Sequence, residues 1–215
     1  GSGNHFVEIC VDELHRVWVV LHSGSRGIGN SIAMSFINQA KDENTTKLED
    51  NDLSGLYGST FEQYIQMMEW AQLYAYANRE FMMDAALGDI MSSVDGVREE
   101  QRINCHHNFA AREIHFGKEV WLTRKGAIKA DIGDMGIIPG SMGTATFITS
   151  GLGNPDSYKS SAHGAGRQFS RSAAKRTFTV ESLHLQMKDK AWNINNAKAL
   201  LDEHPDAYKP IGQVM

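Results

Sequence analysis

The stretch Arg16-Val17-Trp18-Val19-Val20-Leu21-His22-Ser23-Gly24-Ser25-Arg26-Gly27-Ile28-Gly29-Asn30 decides the fold class. Its first six residues are a short apolar, β-branched run of the kind that forms a buried strand. Gly24, Gly27 and Gly29 then make a tight, adaptable loop. Asn30 is placed to cap a helix that carries Ile32, Phe36, Ile37 and Ala40 at helical spacing. Upstream, Gly1-Ser2-Gly3 reads as a turn before a strand over residues 4–9, in which Asn4, Phe6 and Glu8 share one face and His5 takes the other. Downstream, residues 41–58 are polar and charged, an exposed connection. Ser59 and Glu62 have the spacing of a capping box, which predicts a long helix to about Ala86 with Phe61, Ile65, Met68, Gln72 and Ala75 on its core face. The remainder is shorter and glycine-punctuated. It predicts a strand at Val120-Trp121-Leu122-Thr123, a basic helix from about Phe169 to Arg176, and a tail that is helical before it loops at Pro205 and Pro210. The sum is an α+β chain: one unit of mixed short-strand sheets forming a site floor, with peripheral helices.

Composition bounds the function. The 215 residues carry 21 basic and 26 acidic side chains, a formal charge of -5, so any nucleic-acid contact must come from a local patch. No apolar run is long enough to cross a membrane, and no secretory signal pattern opens the chain. Two cysteines, Cys10 and Cys105, give no oxidised framework, so the expected compartment is reducing and cytoplasmic. There is no Walker sequence, no His-Glu-x-x-His and no Cys-x-x-Cys.

Chemistry gathers at histidines and glycine turns. His5, His22, His107 and His163 each lie at a strand end or beside Gly, Ser or Asn, and neutral imidazole is the commonest metal ligand. A strand through residues 104–109 would place Cys105 and His107 on one face and His106 on the other. The turns at Ser141-Met142-Gly143-Thr144 and His163-Gly164-Ala165-Gly166 are candidates for cradling phosphate with backbone N–H groups. Arg167, Arg171 and Lys175 recur at steps of four, either a solvated charged face or a polynucleotide phosphate contact.

Five motifs in order carry a resemblance over essentially the whole chain: residues 3–8, Leu21 to Gly27, Cys105-His106-His107-Asn108, Pro139 to Gly143, and His163 to Arg167. Together they resemble the RtcB family of RNA-splicing ligases, which join RNA ends bearing a 2′,3′-cyclic phosphate or 3′-phosphate to 5′-hydroxyl ends, including tRNA halves. The resemblance implies that His163 attacks the α-phosphate of GTP to form a covalent histidine–GMP. It implies two Mn²⁺ ions, one bound by His5 and the other by His22 and His107. It implies a guanylate pocket from Asn4, Phe6, Val7, Glu8, Asn108, Pro139, Gly140, Ser141, Met142, Thr146, Gly164, Ala165 and Gly166, beside the metal-binding His5 and His107. Tyr208 resembles a tyrosine near the guanine, and Arg26, Arg167 and Arg171 are expected at RNA or triphosphate. Archease is an expected partner.

The family's upstream Asp and Cys, which complete the metal site, are not matched in this sequence, and Cys105 is not that cysteine by position. Nor is the family's C-terminal Lys matched. The expectation is therefore the middle and C-terminal part of a ligase, with apolar surface exposed where an upstream segment packs. A metal-dependent phosphodiesterase for RNA ends and a non-catalytic RNA-binding module are the alternative readings.

Overall fold

A computed structural model describes residues 5–43 and 54–215. The helices and short antiparallel strand pairs make an α+β fold. The chain divides between Asn104 and Cys105 into two compact units.

The first unit begins with a hairpin of β1 (Phe6–Val11) and β2 (Val17–His22), paired from Phe6 with His22 to Val11 with Val17. Asp12 ties its turn. The carboxylate accepts from the Arg16 Nε at 2.7 Å, the Trp18 Nε1 at 3.0 Å and the Leu14 and Arg16 amides. Those donors, led by Trp18, hold its pKa well below the usual carboxylate range. The alternation expected for β1 is present, with Phe6, Glu8 and Cys10 half-buried and Val7, Ile9 and Val11 exposed.

Helix α1 (Arg26–Glu43) starts earlier than the Asn30 cap predicts, so Gly27, Ile28 and Gly29 form its first turn. Arg26 enters it with a left-handed φ of 58°. A side chain at Gly29 would place its Cβ 2.0 Å from the Ser25 Oγ, which is why this turn holds glycine. Helix α2 (Gly58–Ser93) also departs from the expected cap. Ser59 and Glu62 both lie inside it, and Tyr57 occupies the N-cap without a side-chain bond. The helix continues past Ala86 until Val94 closes on the Ile90 carbonyl. Ala71 and Ala75 are its buried positions, and Phe36 of α1 meets Tyr64 edge-on at 5.3 Å.

In the second unit β3 (Asn108–His115) pairs with β4 (Lys118–Lys125), β5 (Ala127–Lys129) with β8 (Ser160–Ala162), and β6 (Met135–Pro139) with β7 (Thr146–Ser150). The expected strand over 104–109 begins only at Asn108; residues 104–107 are irregular, so strict face alternation does not govern Cys105 to His107. The basic helix is shorter than expected: α3 (Arg171–Thr177) is capped by Ser170, whose Oγ accepts from the Ala173 amide. Next, α4 (Val180–Gln186) opens with a reciprocal Thr179–Ser182 box. The tail is a chain of short 3-10 turns at 194–196, 199–203, 205–207 and 211–213. It covers the core of Leu183, Met187 and Ala197, against which Met142 also packs. Among the described residues no helix is long and apolar enough to cross a membrane.

Candidate active site

Each unit presents part of the expected site. In the first, antiparallel pairing sets His22 opposite Phe6, their rings 5.4 Å apart. His5, one residue before β1, bonds to the main-chain carbonyl of His22. Its pKa is lowered, first by burial and then by the positive charge of Arg26. The His5 imidazole thus meets the His22 main chain, the His22 ring packs on Phe6, and the exposed Arg26 stands nearby in strained backbone. Asn4 lies outside the described residues. Val7 stands on the opposite face of β1 from Phe6 and Glu8, so only its main chain can share their surface.

Two residues not anticipated from the sequence hold this loop. Asn78 of α2 donates to the Ser23 Oγ at 3.3 Å and to the Gly24 carbonyl, and Arg79 donates to the Ser23 carbonyl. Arg79 also binds the Asn104 side chain at 2.6 Å, while Arg102 pairs with Glu80 and Asp84 to hold the segment after α2. Polar residues on a helix predict no such target; the contacts span too much sequence.

In the second unit His107 and His163 come together with ring centroids 4.9 Å apart, although they are far apart in the chain. Gly126 makes this meeting fit. Its amide donates to the His107 carbonyl at 2.8 Å and to the Asn108 side chain at 2.9 Å. At its φ of 69° a Cβ would lie 3.2 Å from the His163 ring. Beyond His163, the Gly164–Gly166 turn packs on the end of β6. The Ala165 amide donates to the Pro139 carbonyl, and a Cβ at Gly164 would come within 2.9 Å of that oxygen. The Pro139–Thr146 turn is closed by the Gly140 amide on the Ala145 carbonyl and by the Ser141 amide on the Thr144 Oγ1. Met142 anchors that turn to the C-terminal core, so three of the expected pocket segments form one body.

Tyr208 sits beside the same turn. The Lys209 amide donates to the Gly166 carbonyl, and Arg167 lies 4.9 Å over the Tyr208 ring while donating to its hydroxyl. The two arginines expected at phosphate are engaged with acids of this unit. Arg167 reaches Glu203 and the Asp202 carbonyl, Arg171 pairs with Asp202 and Glu203, and Lys175 reaches Asp202. The Tyr208 hydroxyl in turn donates to Glu203. The tail's Asp202 and Glu203, which the sequence does not connect to the basic stripe, thus set the geometry of both arginines.

Imidazole donors suit a first-row divalent metal. Among the described residues, however, no group of three or more His, Cys, Asp or Glu gathers closely enough to hold one. The donor chemistry fits such an ion, and the ligand set within each unit is incomplete. The glycine cradle under His163 fits a histidine that must be approached closely by another group.

The fold and site thus define a class: an α+β scaffold of short hairpins whose glycine turns seat a close histidine pair. Comparison with known proteins narrows that class. The description of the tRNA-splicing ligase RtcB family matches residues 1–215, and the chain belongs to that family. It is 45% identical over 233 residues to the RNA-splicing ligase RtcB1 of Escherichia coli strain ATCC 25922, covering 100% of this chain and 55% of that protein. It is also 45% identical to the RNA-splicing ligase RtcB of E. coli K12, over 231 residues with the same coverage. The tRNA-splicing ligase RtcB of Pyrobaculum aerophilum is 30% identical over 263 residues, with 100% of this chain and 54% of that protein covered. The chain spans about half the length of these relatives.

Proposed function

We propose that this chain carries the nucleotide-transfer part of an RNA ligase that joins 3′-phosphate or 2′,3′-cyclic phosphate ends to 5′-hydroxyl ends, tRNA halves among them. The observation that carries the reading is the seating of His163 on Gly126 against His107, in a chain that belongs to the RtcB family along its full length.

In this reading a ring nitrogen of His163 attacks the α-phosphorus of GTP. A phosphorus–nitrogen bond forms, the α–β phosphoanhydride bond breaks and pyrophosphate leaves. Neutral imidazole has the lone pair for this near pH 7. A 2′,3′-cyclic end is first opened by water at its P–O2′ bond to a 3′-phosphate. The RNA 3′-phosphate then takes GMP from His163, and the 5′-hydroxyl attacks that phosphate, releasing GMP as the new phosphodiester forms. His107 and Gly126 fix the His163 ring, the Pro139–Thr146 and Gly164–Gly166 turns offer a rigid surface to the guanylate, and Tyr208 flanks it. His5, His22 and His107 are the residues that would hold Mn²⁺, which when bound neutralises triphosphate charge. Arg26 is the cation offered to RNA, and archease is a candidate activating partner.

Incubation with α-labelled GTP and Mn²⁺ tests the reading. Acid-labile label is expected on the native chain and absent from His163→Ala. Equal labelling of both would remove His163 as the nucleophile.

A further inference from the structure

Behind His163, in the second unit, lies a buried ion pair that the proposed chemistry does not use. Arg124 on β4 is 2% exposed and stands opposite Phe109 in the hairpin register, with Glu113 four residues further along β3 on the same face. The guanidinium forks onto the carboxylate, Nη1 to Oε1 at 2.5 Å and Nη2 to Oε2 at 3.0 Å. Hydrogen bonds from Arg124 are the leading cause that pulls the Glu113 pKa down to about 2, so the pair stays charged at neutral pH. His115 Nε2 sits 2.8 Å from the same carboxylate, and the guanidinium lies 5.2 Å over the Phe109 ring.

The remaining donors of Arg124 leave the hairpin. Its Nε donates to the Ser160 Oγ at 2.8 Å and Nη2 donates to the Tyr158 carbonyl at 3.0 Å. Tyr158 and Lys159 both take a left-handed φ of 51°, a conformation that costs a non-glycine residue energy and persists only when its surroundings hold it. Ser160 opens β8, which has three residues and three pairing positions on β5. The next residue is His163. So short a strand has little hold of its own on the residue it delivers.

We propose that Arg124, held by Glu113, is a positioning residue for His163: it pins the strained 158–159 corner and so sets where β8 delivers the imidazole. The inference rests on the reading of His163 as the nucleophile for its kinetic consequence, though not for its structural one. A buried ion pair is a weak source of net stability but a strong source of fixed geometry, because the fork admits one arrangement. Lysine cannot reproduce it, having no planar fork and no second arm for Ser160.

The test compares the full native chain with Arg124→Lys and with Ser160→Ala, which leaves the buried ion pair intact. Two quantities are read: the NMR contact between the His163 ring and the Gly126 Hα protons, and the GTP dependence of GMP uptake. In Arg124→Lys the ring contact should be lost. The uptake rate at saturating GTP should fall about tenfold to a hundredfold, with the half-saturating GTP concentration changed less than about twofold. Ser160→Ala should weaken the contact and lower the rate by a smaller factor. Amide protection of the β6–β7 hairpin, unchanged in both, separates displacement from unfolding. A ring contact retained at native strength in both variants overturns the proposal. No label on the native chain marks it as lacking the rest of the metal site, and the ring contact alone then decides whether Arg124 positions the histidine.

Discussion

At the scale of single residues, Gly126 does two things at once. Its amide ties down His107 and Asn108, and its missing side chain leaves room for the His163 ring. Gly126→Ala would place a methyl 3.2 Å from one ring atom and 3.3 Å from another, at a φ that alanine disfavours. The expected outcome is a stability loss of roughly 1–2 kcal/mol together with a GMP uptake rate lowered at least about tenfold. Denaturant unfolding and label uptake measure the two separately, and an unchanged rate would show that the ring tolerates displacement. His204 is a different case, a fully buried histidine stacked on Phe178 at 4.1 Å. Its ring nitrogens meet the Ser182 hydroxyl and the Asp206 amide, and burial lowers its pKa despite the nearby Asp206 carboxylate. The unfolded chain therefore binds the proton more readily than the folded one. Stability is full above the ordinary value of 6.5 and falls as pH drops below it toward the depressed folded value. Thermal unfolding between pH 7.5 and 5.5, intervals chosen to bracket that value, should show a Tm decline in the native chain that is shallower in His204→Gln; parallel declines would refute it.

Among the elements, α2 lacks the capping box that its sequence spacing offers. The Ser59–Glu62 pair has the right spacing, but Gly58, with a φ of 55°, begins the helix one residue before Ser59 and leaves Tyr57 as the cap. Tyr57 has the extended backbone an N-cap needs, is exposed, and accepts nothing with its side chain there. Tyr57→Ser should therefore stabilise the chain by roughly 0.5–1 kcal/mol, while Ser59→Ala should change it little; a destabilised Tyr57→Ser variant would mean that the tyrosine packs usefully. The same reasoning explains what could be read from the sequence. β1, β2 and β4 were legible because strand alternation and apolar runs are local signals, as was the presence of α2, but of the core face expected for it only Ala75 is buried and Phe61 is exposed. The start of α1 was not, because glycines that suggest a loop also fit a first helical turn crowded by Ser25. The motif histidines and glycine turns were visible as residues. That Asp202 and Glu203 would neutralise Arg167 and Arg171, or that Arg124 would reach Ser160, depends on contacts across long stretches of chain. Local patterning contains no record of them.

For the molecule as a whole, the distribution of apolar surface is the property that a single experiment can read. Val7, Ile9, Val11 and Val17 of the first hairpin are each 54 to 66% exposed, and the register sets Val7 opposite Leu21, Ile9 opposite Val19 and Val11 opposite Val17. Opposed residues share a face, so these six make a continuous apolar surface on one side of a two-stranded ribbon. A second apolar feature in the same unit is a cavity of about 550 Å³ lined by Phe36, Ile37, Leu56, Phe61 and Tyr64. Contiguous apolar surface of this kind takes up an amphiphilic dye. The chain should enhance ANS fluorescence while keeping its near-UV dichroism, which separates exposed folded surface from a loosened core. The triple variant Val7→Thr, Ile9→Thr, Val11→Thr keeps β-branched residues on β1 but gives half of the face hydroxyls. It should lower the fluorescence by roughly half without changing the dichroism. If fluorescence stays at the native level while Phe36→Ser lowers it, the dye sits between α1 and α2. The hairpin face would then be too flat to hold even a small apolar ligand, despite its exposure.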